Sequence, residues 1–150
     1  MKVAIQRVSS AAVHINGSVH IQIQQGLLIF LGIESSDTTT DADWLCQKII
    51  GLRIFSDQDG LMNQSVIDID GALLLVSQFT LIASYKKGNR PSFVKAARPE
   101  QAVPLYEYCI EKLSQLRGTS IATGVFGADM QVVIYNDGPV TILMDTQNKE

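Results

Sequence analysis

Apolar and polar residues alternate from the start of the chain: Val3, Ile5 and Val8 stand among Lys2, Gln6 and Arg7, the period of a half-buried strand. Residues 11–15 and 18–23 flank Asn16-Gly17, the strongest short hairpin signal. Residues 26–33 are apolar at nearly every position, and so are residues 72–76; both predict strands buried on two faces. Between them, Ala42, Leu45, Cys46, Ile49 and Ile50 follow helical spacing, with Thr40 as the expected cap, Asp43 in the first turn and Gly51 as the stop. Trp44 lies beside that stripe and suits packing or an interface. A short strand is expected at Ile54-Phe55, a turn over 56–60, and a half-exposed strand where Ile67 and Ile69 alternate with Asp68 and Asp70. A second helix runs from Pro99 or Pro104 to Arg117, with Tyr106, Cys109, Ile110 and Leu113 on one face and Gly118 past its end. The last strands, 130–135 and 140–145, flank Asn136-Asp137-Gly138-Pro139-Val140-Thr141. By turn chemistry alone that stretch is a hairpin turn. Pro139, however, has no N–H, so the carbonyls of Gly138 and Pro139 remain available as acceptors, and an X-Pro bond adopts cis at low cost.

Composition narrows the class. A chain of 150 residues with 46% hydrophobic and 18% charged residues has enough apolar surface for one folded domain and too little charge for disorder. No window reaches the ~18 consecutive apolar residues of a membrane span. The amino-terminal residues read as a strand, without the apolar core of a signal peptide. Cys46 and Cys109 fall on apolar helix faces, which fits a reducing cytosol. His14 and His20 lie in the first hairpin with no ligand spacing around them, and Asp57 and Asp59 stand in a turn too short for a calcium loop. No metal and no cofactor are expected: there is no Walker loop, dinucleotide fingerprint or metal spacing.

Charge adds one local feature. The net charge of −3 opposes a broad nucleic-acid surface, yet residues 71–99 contain no Asp or Glu and carry Lys86, Lys87, Arg90, Lys95 and Arg98. This is either a solvated basic loop or a small phosphate-binding zone. The buried strand at 72–76 runs into Ser77-Gln78-Phe79-Thr80-Leu81, and polar residues at the end of a rigid strand are well placed to form a site. Phe126, between Gly124 and Gly127, is either an exposed ring or a core plug. The hydroxyls of Ser77 and Thr80, the Gln78 amide, backbone N–H groups near Phe79 and Thr80, and the carbonyls of Gly138 and Pro139 suit binding a polar substrate and holding an oxyanion. None of them titrates near neutrality, so they suit general acid–base chemistry poorly, and no Ser-His-Asp pattern is present.

Together the two stretches resemble the Ser-Gln-x-Thr-Leu and Asn-x-Gly-Pro-x-Thr motifs of the D-aminoacyl-tRNA deacylases. The resemblance extends to Gln6-Arg7-Val8, to Gly88-Asn89-Arg90-Pro91-Ser92-Phe93 and to Gly124-Val125-Phe126-Gly127-Ala128-Asp129-Met130. It implies a mixed α/β fold: a compact, strongly curved, barrel-like domain in α/β/β layers over residues 1–150, with two main helices packed outside. It implies a cytoplasmic homodimer that hydrolyses the ester joining a D-amino acid, or mischarged glycine, to the 3′-terminal ribose of tRNA. Gly138 and a cis Pro139 would enter the partner's site and exclude L side chains with their carbonyls. Arg7 resembles the latch of that loop. Phe126 would border the terminal adenosine, Met130, Asn136 and Thr141 would join the substrate-binding set, and Lys86, Lys87 and Arg90 would lie toward the phosphates.

The resemblance leaves the role of Thr80 open. Its hydroxyl is a nucleophile, or the tRNA's own 2′-hydroxyl assists a water while the Phe79 and Thr80 backbone holds the carbonyl oxygen; the lack of a visible base favours the second. Two rival readings stand beside the deacylase: another ester hydrolase acting on small molecules, and a non-catalytic dimeric module that binds an RNA end.

Overall fold

The computed structural model describes residues 1–149. Eight strands and two helices follow the order β1 (Lys2–Ile15), β2 (Ser18–Ile23), β3 (Gly26–Gly32), α1 (Thr39–Gly51), β4 (Phe55–Ser56), β5 (Met62–Gln64), β6 (Ala72–Ser77), α2 (Pro99–Arg117), β7 (Ala122–Thr123) and β8 (Gln131–Asp145). A single 3₁₀ turn, Phe79–Ile82, follows β6. The main sheet runs β2-β1-β3-β6-β7, with β8 on the other side of β1. Strand β1 is its axis: its first half pairs with β3, its second half with β2, and nearly its whole length with β8. The pairs β3–β6 and β6–β7 are parallel and the rest antiparallel, so the sheet is mixed. It curls until β2 approaches β7, giving the nearly closed, barrel-like form the resemblance implies.

The uninterrupted apolar runs of β3 and β6 are explained by two cores. Leu27, Ile29, Leu73 and Leu75 face the helices, while Leu28, Leu74 and Val76 face a second cluster closed by β2 and the first half of β8. Fully burying each such side chain contributes ~1.5–3 kcal/mol, so loss of either layer would be severe. Gly26 lets the two strands meet: a Cβ there would lie 1.9 Å from the Ala72 carbonyl oxygen. Helix α1 packs on α2, and α2 is tied to the sheet by the Tyr106 hydroxyl, which donates to the Leu75 carbonyl at 2.9 Å. At the sheet's end, the Met1 ammonium is buried against Asp37 at 2.5 Å and the Thr146 hydroxyl at 2.6 Å.

Three expectations are corrected. The cap of α1 is Thr38, not Thr40: the N–H and hydroxyl of Thr38 both donate to Asp41 Oδ2, at 2.9 and 3.0 Å. Residues 66–70 form turns rather than a strand, because the N–H and hydroxyl of Ser65 both hold Asp68 Oδ2 at 2.8 Å and wind the segment back. Residues 136–141 are not a hairpin turn. They lie within one continuous strand, β8, along β1. Gln6 pairs with Thr141 and Val8 with Asn136, so a single residue, Arg7, faces the four from Asp137 to Val140. The extra residues are extruded as a bulge. The Gly138–Pro139 bond within it is cis.

Candidate active site

Strand β6 ends at Ser77, and the chain turns at once into Phe79–Ile82. The turn is pinned to the neighbouring strand: the Gln78 N–H donates to the Leu31 carbonyl at 2.7 Å, and the Leu81 N–H to the Gln78 carbonyl at 3.2 Å. The N–H groups of Phe79 and Thr80 thus stand at the start of the turn, ahead of its first internal bond. The Gln78 amide donates to the Thr80 hydroxyl at 2.5 Å, and both groups are open to solvent. Phe79 is 56% exposed and rests edge-on against Phe93, with centroids 5.0 Å apart.

Beside this turn lies a cleft of about 320 Å³. Its lining joins Ser77, Gln78 and Phe79 to Phe126, Asp129, Met130 and Val132, with Leu31, Ile33, Ala97 and Ala102 adding apolar surface. Gly124 fits under Met130, where a Cβ would sit 2.7 Å from the sulfur. The Phe126 ring packs on Tyr106 at 5.7 Å, so it is a fixed wall rather than a free ring. Burial pushes the Tyr106 hydroxyl up to about 12, so it stays a proton donor to Leu75 throughout the neutral range. The cleft therefore offers apolar side chains, the Ser77 hydroxyl, the Gln78 amide and one carboxylate, Asp129, with no second titratable group in its lining to make an acid–base pair.

The bulge is the second centre. Arg7 is 8% exposed, and its guanidinium donates from Nη1 to the Ile54 carbonyl at 2.6 Å and from Nε to the Asp137 carbonyl at 3.0 Å. Asp137 Oδ2 stands 3.2 Å from the same Nε. Below the bulge, the Thr141 hydroxyl donates to Gln6 Oε1 at 2.6 Å. Gly138 and Pro139 are exposed at the tip. Gly138 has φ +125°, and a Cβ there would meet Val140 Cγ2 at 2.9 Å and Arg7 Nη2 at 3.1 Å. No residue from 136 to 141 lines the cleft.

The structure thus brings Ser77, Gln78, Phe79, Phe126 and Met130 to one cleft, with Thr80 on its turn, and gathers Arg7, Gly138, Pro139 and Thr141 at a separate bulge. Asn136 starts the bulge opposite Val8. Lys86, Lys87 and Arg90 project from an exposed loop. Sequence reasoning missed Asp137, whose carbonyl and carboxylate both engage Arg7; an acidic residue beside Gly-Pro was its available signal. It also missed the apolar lining from Leu31, Ile33, Ala97 and Ala102, which carries no motif. Among the described residues, no group of three His, Cys, Asp or Glu is arranged for a metal ion, and no helix is long and apolar enough to cross a membrane.

A barrel-like mixed sheet with two helices packed outside it is a fold shared with solved proteins. A solved structure of a probable eukaryotic D-amino acid tRNA deacylase superposes with a TM-score of 0.83 at 15% identity, covering 95% of this chain and 97% of that one, a likeness of fold. That of a c-Myc DNA unwinding element binding protein reaches 0.92 at 41% identity, with 97% and 98% covered. The D-aminoacyl-tRNA deacylase of Bacteroides thetaiotaomicron is 57% identical over the full length of both chains, and that of Phocaeicola vulgatus 55%. Residues 4–145 match the D-Tyr-tRNA(Tyr) deacylase family, and the chain belongs to it. It is accordingly a hydrolase of the aminoacyl ester bond, with D-aminoacyl-tRNA deacylase activity.

Proposed function

We propose that the cleft beside Ser77-Gln78-Phe79 receives the 3′-terminal adenosine and its aminoacyl ester, and that chirality is read by a Gly138–Pro139 bulge supplied by a second copy of the chain. The observation that carries this reading is the separation of the two centres. The bulge exposes Gly138 and Pro139 next to an Asp137 that Arg7 holds by its carbonyl and carboxylate, yet it does not line its own cleft. Apolar walls from Phe126 and Met130 suit a base, and the backbone N–H groups of Phe79 and Thr80 suit the ester carbonyl as it becomes an oxyanion. With the carbonyls of Gly138 and Pro139 against the α-carbon, an L side chain collides with backbone and a D side chain points away. Selection is by exclusion, which needs rigidity rather than a shaped pocket, and glycine passes because it has no side chain.

The ester is cleaved by a water that the substrate's vicinal 2′-hydroxyl assists, since the cleft lining has no His and a single carboxylate, Asp129, on the side of Phe126 and Met130 in the chain rather than on the turn that carries the donors. Ser77 and Gln78 order the turn that carries the donors, and Asn136 and Thr141 hold the ends of the bulge. The working assembly is a homodimer in the cytoplasm. The decisive experiment is deacylation of matched D-, L- and glycyl-tRNA by the purified protein. Rapid hydrolysis of the D and glycyl esters with the L ester spared is expected; equal rates on D and L substrates would refute selection by exclusion.

A further inference from the structure

A hairpin-like loop rises from the rim of the cleft. Ser84 and Ser92 exchange two backbone hydrogen bonds of 2.8 Å, closing a loop of residues 85–91. Both of its arms are anchored at the site. The ascending arm is the Phe79–Ile82 turn itself. On the descending arm Phe93 packs against Phe79, and Ala97 N–H donates at 2.9 Å to the carbonyl of Ile33; both Ala97 and Ile33 line the cleft. The loop contains no acid. It carries Lys86, Lys87 and Arg90, all exposed, and begins with Tyr85, whose side chain packs on nothing that would bury it: the residue is 78% exposed. A large aromatic held in water next to three cations that pair with no acid among the described residues is poorly explained by folding, because burying such a ring is the usual way for a chain to gain stability from it.

The geometry points to Tyr85 as a stacking platform for an unpaired base of the single-stranded 3′ end of tRNA, with Lys86, Lys87 and Arg90 tracking the phosphates beside it. The inference rests on the reading that the terminal adenosine occupies the cleft: the nucleotides before it then leave across its rim, and this loop projects from the part of the rim that Phe79 and Ala97 line. A stacked aromatic with adjacent cations is the usual means of holding a single strand, and it is tolerant of sequence because every base has a π-face.

Steady-state kinetics on D-aminoacyl-tRNA and on 3′-O-(D-aminoacyl)adenosine, which lacks the upstream nucleotides, tests this directly. Replacing Tyr85 by Ala is expected to raise KM for the tRNA about 5- to 150-fold, the range of one base–aromatic stack, with kcat little altered. The ratio of kcat/KM on tRNA to that on the adenosine ester should fall by the same factor. Tyr85→Trp should restore it, and deacylated tRNA should quench the new indole. The triple change of Lys86, Lys87 and Arg90 to Ala should flatten the dependence of log KM on log salt by about 2, at ~0.7 for each single-strand phosphate contact. A Tyr85→Ala enzyme whose KM for tRNA is unchanged, or whose losses on the two substrates are equal, overturns the proposal while leaving the cleft reading intact. A wild-type enzyme that cleaves neither substrate overturns the cleft reading, and this inference with it.

Discussion

The hydroxyl of Thr80 accepts a hydrogen bond from the Gln78 amide at 2.5 Å, and an amide cannot take a proton from it. A serine or threonine nucleophile needs a neighbouring base, so the hydroxyl is better read as part of the turn's internal bonding. Thr80→Ala should therefore retain most single-turnover activity, within about twofold of wild type, whereas a substrate ending in 2′-deoxyadenosine should lose at least the ~10²-fold typical of general-base assistance. Trapping an acyl group on Thr80 would reverse that assignment. Gly138 is the more demanding residue. Its φ of +125° and the short approaches a Cβ would make to Val140 and Arg7 leave no room for alanine without moving the latch. Gly138→Ala should cost about 1–3 kcal/mol in urea unfolding. If the bulge carries the chiral filter, the same variant should also hydrolyse L-aminoacyl-tRNA faster relative to D. A destabilised variant with an unchanged D-to-L ratio would separate the bulge from selectivity.

The elements buried on two faces were the most legible. β3 and β6 read as continuous apolar runs because each has a core on either side, and the α2 stripe survived the ambiguity of Pro104, which lies inside the helix and costs one backbone bond near its start. The misread elements share a cause: local chemistry that serves two structures. Asn-Asp-Gly-Pro suits a hairpin turn and a bulge equally, and only the pairing of β8 along all of β1 decides between them. Three consecutive threonines, Thr38 to Thr40, offer three caps, and Asp41 selects the first. At 66–70, alternation suggested a strand, but the Ser65–Asp68 hydrogen bonds close a turn. The Ser65 N–H and then its hydroxyl hold the Asp68 carboxyl below its ordinary value. A lowered folded-state value means that this contribution to stability is complete above the unfolded carboxylate value near ~4 and is lost as pH falls through the lower folded value. The gap in urea midpoint between wild type and Asp68→Ala should be full at about pH 7 and close progressively below about pH 4. A gap constant across that interval would assign the turn to backbone geometry instead.

At the scale of the whole molecule, the parts of the candidate site lie in two places that one chain does not join. The polar strand end after β6 and the Gly-Pro stretch both stood out in the sequence, the latter as a hairpin turn by its local chemistry; that the two centres lie apart came only from the family resemblance, because sequence shows adjacency along a chain and not between chains. The cleft is lined by β6, its following turn and residues 126–132, while the bulge is braced from behind by Arg7 on the Ile54 and Asp137 carbonyls. A bulge held away from its own cleft is completed most simply by a two-fold arrangement in which each copy gives its tip to the other, the commonest symmetry of small assemblies. This predicts complementation between two defective chains. Ala128→Phe should fill the cleft, whose lining includes Ala128, and leave the bulge whole. Arg7→Ala should release the bulge and leave the cleft whole. Each variant alone should fall at least about tenfold in deacylation, the cost of one lost ~1.4 kcal/mol interaction. When the two are mixed and allowed to exchange, half of the dimers are hybrid and each hybrid holds one intact composite site. Activity should then return to about a quarter of wild type, the share of intact sites expected for random pairing in a two-fold dimer. If each chain instead completed its own site, every site in the mixture would keep one defect, and mixing would restore nothing. Sedimentation of the same samples gives the second check, since recovery should appear only at concentrations where the dimer is populated.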